Sequence, residues 1–185
     1  MSDSKISDPK KYVITGASCS GKSTLVRELG IRGFYVTSEV AKKYILEQQK
    51  KGISEPWLRL DFQPALLELQ FANELGVPPD VGVAFLDRAI PDALAYFKYR
   101  QQAVPKDLAC RVNDYFSRKQ YKKIFLLEPL TFFERDGFRV ENDKTESEII
   151  AHLVKAEYSG LGCSPILVPN IGVDKRISFL LANLD

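Results

Sequence analysis

Cysteine, histidine and any excess of one charge are scarce in this chain of 185 residues. Its three cysteines, Cys19, Cys110 and Cys163, are odd in number and widely spaced. None forms a C-x-x-C pair, which argues against a disulfide framework and against a zinc site. Lone thiols suit a reducing, cytoplasmic compartment. The single histidine, His152, falls on an expected helix and reads as a packing or surface residue. The formal net charge is +2, too near neutral for nucleic acid or a membrane surface to be the main partner. Pairs such as Lys42-Lys43 and Lys50-Lys51 read as solvated faces. No apolar run is long enough to span a bilayer, and there is no internal repeat or low-complexity tract.

What is present suffices for one buried core. The chain is 45% hydrophobic with 11 glycines, too short for two ordinary domains. Residues 1–10 are polar and read as a disordered tail, leaving a single domain over 11–185. Near its start stands Gly16-Ala17-Ser18-Cys19-Ser20-Gly21-Lys22-Ser23, which satisfies G-x-x-x-x-G-K-[ST] at every defined position. Tyr12-Val13-Ile14-Thr15 before it reads as a buried strand, and 24–29 after it as an amphipathic helix ending at Gly30. Strand, glycine loop and helix make a phosphate cradle. Gly16 and Gly21 let the backbone N–H groups turn inward, and the helix N-terminus adds partial positive charge. The cradle is expected to be 16–24, Thr24 included, with Lys22 on the β- and γ-phosphates of ATP and Ser23 on Mg²⁺.

The rest of the chain alternates strand and helix. Strands are expected at 33–37, 81–86, 123–127 and 166–168, and helices at 40–49, 62–75, from Pro91, at 106–118, 146–158 and 173–181. Asp61 is the expected N-cap of the helix at 62–75, with Leu66, Leu69 and Ala72 as its inward stripe. Thr145-x-x-Glu148 suggests a capping box. Five strands alternating with helices imply an α/β fold with a parallel sheet and helices on both faces. Right-handed crossovers bring all strand C-terminal ends to one edge, where ligands bind.

That edge collects the candidate chemistry. Val83-Ala84-Phe85-Leu86 followed by Asp87 has the form of a strand that presents a carboxylate to a metal, so Ser23 and Asp87 are the expected metal residues. Arg88 reads as a phosphate contact, or otherwise as an ion-pair partner. Glu39, past the second strand, is the best-placed general base, against the plainer reading of a helix-start acid. Asp92 is the next carboxylate along the edge and a candidate substrate contact. A charged connection over about 130–143 has the composition of a lid, and Arg139, in preference to Arg135, is its expected catalytic arginine. Gln63, in the first turn of its helix, can donate to and accept from a planar ring.

On these residues the chain resembles a group of P-loop proteins that includes the ribosylnicotinamide kinase domain of bifunctional NAD regulators and related ATPase domains bearing the AAA name. The likeness runs over nearly everything after Tyr12. It rests on the phosphate loop, Ser38-Glu39-Val40-Ala41, Asp61-Phe62-Gln63 with Gln70 farther on, Asp87-Arg88-Ala89-Ile90-Pro91-Asp92-Ala93-Leu94-Ala95-Tyr96, Phe125-Leu126-Leu127, Asp136-Gly137-Phe138-Arg139 and Val168-Pro169. More distantly it is similar to deoxynucleoside kinases, in which a glutamate after the second strand is the base and a Phe-Gln pair reads the nucleobase. The resemblance implies a three-layer P-loop kinase-like fold, ATP and Mg²⁺ as cofactors, and Glu39, Phe62, Gln63, Arg88 and Asp92 around a small hydroxyl acceptor.

Other nucleotide-binding classes fit less well. A GTPase would carry Asn-Lys-x-Asp after a strand, whereas Asn142-Asp143-Lys144-Thr145 has another order. An AAA-type motor prefers a glutamate after the strand-end acid, where Arg88 stands. Two functions remain: a small-molecule kinase, or a nucleotide-dependent binding module that switches a partner with slow hydrolysis or none.

Overall fold

The computed structural model describes residues 8–118, 120–130 and 143–184. Within them lie five strands: β1 (Lys10–Gly16), β2 (Tyr35–Val36), β3 (Val83–Asp87), β4 (Lys123–Leu127) and β5 (Ile166–Val168). They form one parallel sheet in the order β2-β3-β1-β4-β5, the α/β architecture expected. The first strand of the chain is therefore central. Ile14 is level with Asp87 on one side and Phe125 on the other, and Gly16 is level with Leu127.

Helices cover both faces because successive side chains on a strand point opposite ways. Tyr12 and Ile14 pack with Leu25, Val26 and Leu29 of α1 (Lys22–Ile31) and Ile177 and Leu180 of α7 (Val173–Ala182). Val13 faces the other way, among Ala95 of α4 (Ile90–Tyr99) and Ile150, Val154 and Tyr158 of α6 (Lys144–Gly160). Two further apolar clusters attach α2 (Val40–Lys50), α3 (Phe62–Leu75) and α5 (Lys106–Phe116) beside α4. Each large side chain buried in this way contributes about 1.5–3 kcal/mol.

Several local expectations change. Leu69 and Ala72 point outward; the buried stripe of α3 is Phe62, Gln63, Leu66, Leu67, Gln70, Phe71 and Glu74. That face carries three polar residues, which conceals it from a search for apolar periodicity. Asp61 occupies the N-cap position of α3 but does not cap with its side chain, which pairs with Arg59 at 2.9 Å. The cap of α6 is Asp143, whose Oδ1 accepts from Glu146 N at 2.9 Å, rather than a box at Thr145 and Glu148. Asp87 is the last residue of β3 and not the first beyond it.

Candidate active site

The phosphate loop leaves the middle of the sheet and turns back over it. Gly16 has φ 146°, and a Cβ there would stand 2.8 Å from Leu127 O, so the strand pairing itself requires glycine. Gly21 has φ 84° and Cys19 φ 56°. The left-handed Cys19 is held from outside, its carbonyl accepting from Leu130 N at 3.0 Å. Lys22 is buried beneath the loop. Its Nζ donates to Ala17 O at 2.7 Å, Gly16 O at 3.0 Å and Ser20 Oγ at 3.2 Å. Burial, reinforced by the nearby Arg88, lowers its pKa to about 8. These are neutral acceptors, which a phosphate oxygen outmatches in charge.

Next to the loop opens a cavity of about 330 Å³. Ser18, Cys19, Ser20, Gly21, Lys22, Ser23 and Thr24 form one end of its wall. Glu39, Phe62, Gln63, Arg88, Asp92 and Tyr96 form the remainder together with α2 and α3. Sequence positions as distant as 18 and 96 thus meet in one space, while Gly16, Ala17 and Asp87 do not line it. Arg139 and Arg135 lie outside the described residues.

Arg88 is the pivot of the polar end. Its backbone is left-handed at φ 66°, a conformation that costs a non-glycine residue about 1–3 kcal/mol. Three contacts hold it there. Its N–H donates to Ile14 O at 3.0 Å, its carbonyl accepts from Gln70 Nε2 at 3.4 Å, and its Nη1 donates to Asp92 Oδ1 at 3.1 Å. Its Nε faces Glu39 Oε1 at 3.6 Å. Glu39 is the N-cap residue of α2 and makes no side-chain cap.

Asp92 is more deeply committed than a free substrate contact. Besides Arg88 it accepts from Thr15 Oγ1, from Ala89 N at 3.0 Å and from Tyr158 OH at 2.6 Å. Four donors neutralise a carboxylate that is 2% exposed. It lines the cavity itself and also holds Arg88 there.

Asp87 differs: its Oδ1 is buried and has no hydrogen-bond partner among the described residues. Burial, with Glu39 adding negative charge nearby, raises its pKa to about 7. An orphaned carboxylate oxygen beneath a phosphate loop, with the exposed Ser23 hydroxyl at the start of α1, is a donor set that suits a hard divalent cation shared with phosphate.

Comparison with known proteins follows the same outline. The family model described as AAA domain matches residues 11–176. The chain belongs to the AAA-domain family. No curated protein matches it in sequence. Among solved structures, the NadR protein in complex with NR superposes with a TM-score of 0.69 at 19% identity, covering 94% of this chain and 50% of that one. The chain thus spans half the length of NadR. Deoxyadenosine kinase from M. mycoides with bound dATP gives 0.62 at 14% identity, covering 94% and 97%. Thymidylate kinase from Ehrlichia chaffeensis gives 0.61 at 13%, covering 96% and 100%. At these identities the likeness establishes the P-loop kinase fold.

This AAA-domain chain also contains site residues that motif reasoning passes over. Arg176 of α7, 3% exposed, sends Nη1 to Ser20 O at 2.6 Å, Nε to Pro169 O at 2.9 Å and Nη2 to Glu128 O at 3.2 Å. One guanidinium thereby ties the phosphate loop to the ends of β4 and β5, at a distance in sequence where no spacing rule operates. Glu74 is the other. It is fully buried and accepts from Ile90 N, Tyr115 OH, Tyr121 OH and Gln70 Nε2. Its signal was the polar i, i+4 pair of Gln70 and Glu74 within an otherwise apolar helix.

Proposed function

We propose that the protein is an ATP- and Mg²⁺-dependent kinase that transfers the γ-phosphate to a hydroxyl of a nucleoside-like small molecule. The observation that carries this is Gln63. It is 1% exposed and lines the cavity, yet among the described residues neither its Nε2 nor its Oε1 has a hydrogen-bond partner. Burying an amide unsatisfied costs about 1–3 kcal/mol per group. A planar ligand whose edge both donates and accepts removes that cost once the amide turns into the cavity, and Phe62 beside it supplies an apolar neighbour. The phosphate loop lines the same cavity, so ring recognition and phosphate binding are joined in one space.

In this reading the loop amides and Lys22 hold the triphosphate. Ser23 and Asp87 hold Mg²⁺, which when bound neutralises phosphate charge. Glu39 takes the proton of the acceptor hydroxyl as its oxygen bonds to the γ-phosphorus and the bond to the bridging oxygen of ADP breaks. Arg88 orients Glu39 and faces the transferred group, and Arg139 is the proposed lid residue. NR, dATP and related compounds bound by proteins of this fold motivate the choice of acceptor class. No helix among the described residues is long and apolar enough to cross a membrane. Cys19, Cys110 and Cys163 are not joined in disulfides among the described residues, which supports a cytoplasmic setting.

The test is product analysis with γ-labelled ATP, Mg²⁺ and a panel of ribosylnicotinamide, nucleosides and sugars. A kinase yields phosphorylated acceptor in step with ADP. Nucleotide-dependent affinity for a protein partner, without any phosphorylated small molecule, would instead establish a switch.

A further inference from the structure

Asp92 sits in the first turn of α4, where an acid ordinarily reaches back to a single backbone N–H. Here that bond, from Ala89 N at 3.0 Å, is joined by three more. Each carboxylate oxygen takes two donors: Oδ1 from Thr15 Oγ1 and Arg88 Nη1, Oδ2 from Ala89 N and Tyr158 OH. Together they fill the roughly four acceptor positions that a carboxylate offers. Two of these donors are hydroxyls that reach in from outside the cavity. Thr15 belongs to the central strand β1 and Tyr158 to the last turn of α6; both are fully buried, and neither lines the cavity. The Tyr158 ring packs among Val13, Ile150 and Val154 and against Tyr121, 6.4 Å between centroids, which a phenylalanine ring would do as well. Burial and the charge of Asp92 hold its phenol pKa well above the ordinary value, so it stays a donor.

We infer that the hydroxyls of Tyr158 and Thr15 position Arg88 by satisfying Asp92, so that the carboxylate holds the guanidinium through Nη1 and leaves Nε turned toward Glu39. The effect on turnover rests on the kinase reading of the cavity, and the effect on Arg88 does not. Arg88 stands between two carboxylates, Asp92 Oδ1 at 3.1 Å and Glu39 Oε1 at 3.6 Å, with the Tyr96 ring centroid 5.9 Å from its Cζ. A buried acceptor that loses a donor is costly until another replaces it. Of the three donors left when the Tyr158 hydroxyl is removed, Ala89 N is fixed in the backbone at the entry to α4, and Thr15 Oγ1 is fixed on the middle strand. The guanidinium is the one that can turn, and a two-pronged pair with both oxygens is its strongest match to a carboxylate. That turn carries Nε away from Glu39. Loss of the Thr15 hydroxyl acts in the same direction from the other oxygen, because Oδ1 then draws more heavily on Arg88. Both are positioning residues, acting on the cavity through Asp92 and Arg88.

Tyr158→Phe and Thr15→Val each remove one hydroxyl and keep the bulk of the side chain. Arg88 is followed without turnover, in crystal structures of the ligand-free wild type and of both variants. The expected result is a guanidinium drawn onto both oxygens of Asp92 in the variants, with Nε withdrawn from Glu39. Turnover is measured with ATP, Mg²⁺ and ribosylnicotinamide, nucleosides and sugars as acceptors. There kcat should fall about tenfold, while acceptor KM and AMP-PNP affinity change less than about twofold. In an Arg88→Met background, Tyr158→Phe should lower kcat no further. A loss that persists without Arg88 belongs to packing and overturns the proposal. So does an Arg88 that keeps its place in a folded variant, or a normal kcat in a folded variant of an active wild type. Failure of both variants to fold would make the hydroxyls part of the core and overturn it as well. A displaced Arg88 in the variants of a protein that phosphorylates none of these acceptors keeps the positioning and overturns the kinase reading instead.

Discussion

Arg88 Nε stands 3.6 Å from Glu39 Oε1. The contact fixes which way the glutamate faces, because α2 leaves the residue no other role as a cap. It also keeps a cation next to the carboxylate proposed to accept the proton. Glu39→Gln preserves size while removing basicity. We expect kcat to fall by roughly 10²–10⁴-fold with AMP-PNP affinity intact. A near-normal kcat would reduce Glu39 to a helix-start acid.

Asp87→Asn tests the orphaned oxygen. Titrations of nucleotide with and without Mg²⁺ should show a large loss of affinity in the first case and a small one in the second, since the carboxylate acts through the cation. Equal losses under both conditions would count against a metal role.

Gln63→Leu should separate stability from recognition. Replacing two unsatisfied buried polar atoms by carbon is expected to stabilise the ligand-free protein by about 1–2 kcal/mol, seen as a higher Tm. The same variant should raise the acceptor KM at least about tenfold, the scale of a lost buried hydrogen bond. A lower Tm with unchanged KM would place the amide in the core and outside recognition.

Arg176→Met should loosen the phosphate loop from behind. Calorimetry is expected to show AMP-PNP binding weakened by roughly 10- to 100-fold, with Arg176→Lys restoring little of it. One ammonium cannot reach three diverging carbonyls as the planar fork does. Unchanged nucleotide affinity in a folded variant would make the residue a staple between loops and nothing more.

Glu74 predicts a pH effect on stability. Burial raises its pKa above the ordinary 4.5 despite four hydrogen bonds that oppose the shift. The folded protein therefore holds a proton that the unfolded chain has released, and stability falls as pH rises from about 4.5 through that window. Glu74→Gln has no such proton, so its denaturation midpoint should decline less than the wild type's over the same range. Parallel declines would show the carboxyl to be ionised in both states.

The sequence showed more of the ligand edge than of its supports. Gly16, Lys22, Glu39, Gln63 and Arg88 were readable because a phosphate loop, a strand end or a first helical turn dictates residue type at short range. The α3 face was misjudged at Leu69 and Ala72, since a buried stripe containing Gln63, Gln70 and Glu74 has little apolar contrast. Arg176 and Tyr158 were not readable at all. Their partners, Ser20 and Asp92, lie 156 and 66 positions away, and nothing local encodes such a contact.

The central place of β1 also governs the order in which the chain can fold during synthesis. Tyr12, Val13 and Ile14 acquire their first sheet neighbours with β3 and their second with β4, more than a hundred residues after they are made. At ordinary elongation rates that interval is roughly 5 to 20 s, throughout which the apolar strand lacks at least one of its two flanking partners. Leu127, whose carbonyl confines Gly16, arrives at the end of it. The phosphate loop is thus encoded among the first residues and shaped among the last, so a ribosome-bound chain stopped before β4 should emerge unable to retain nucleotide.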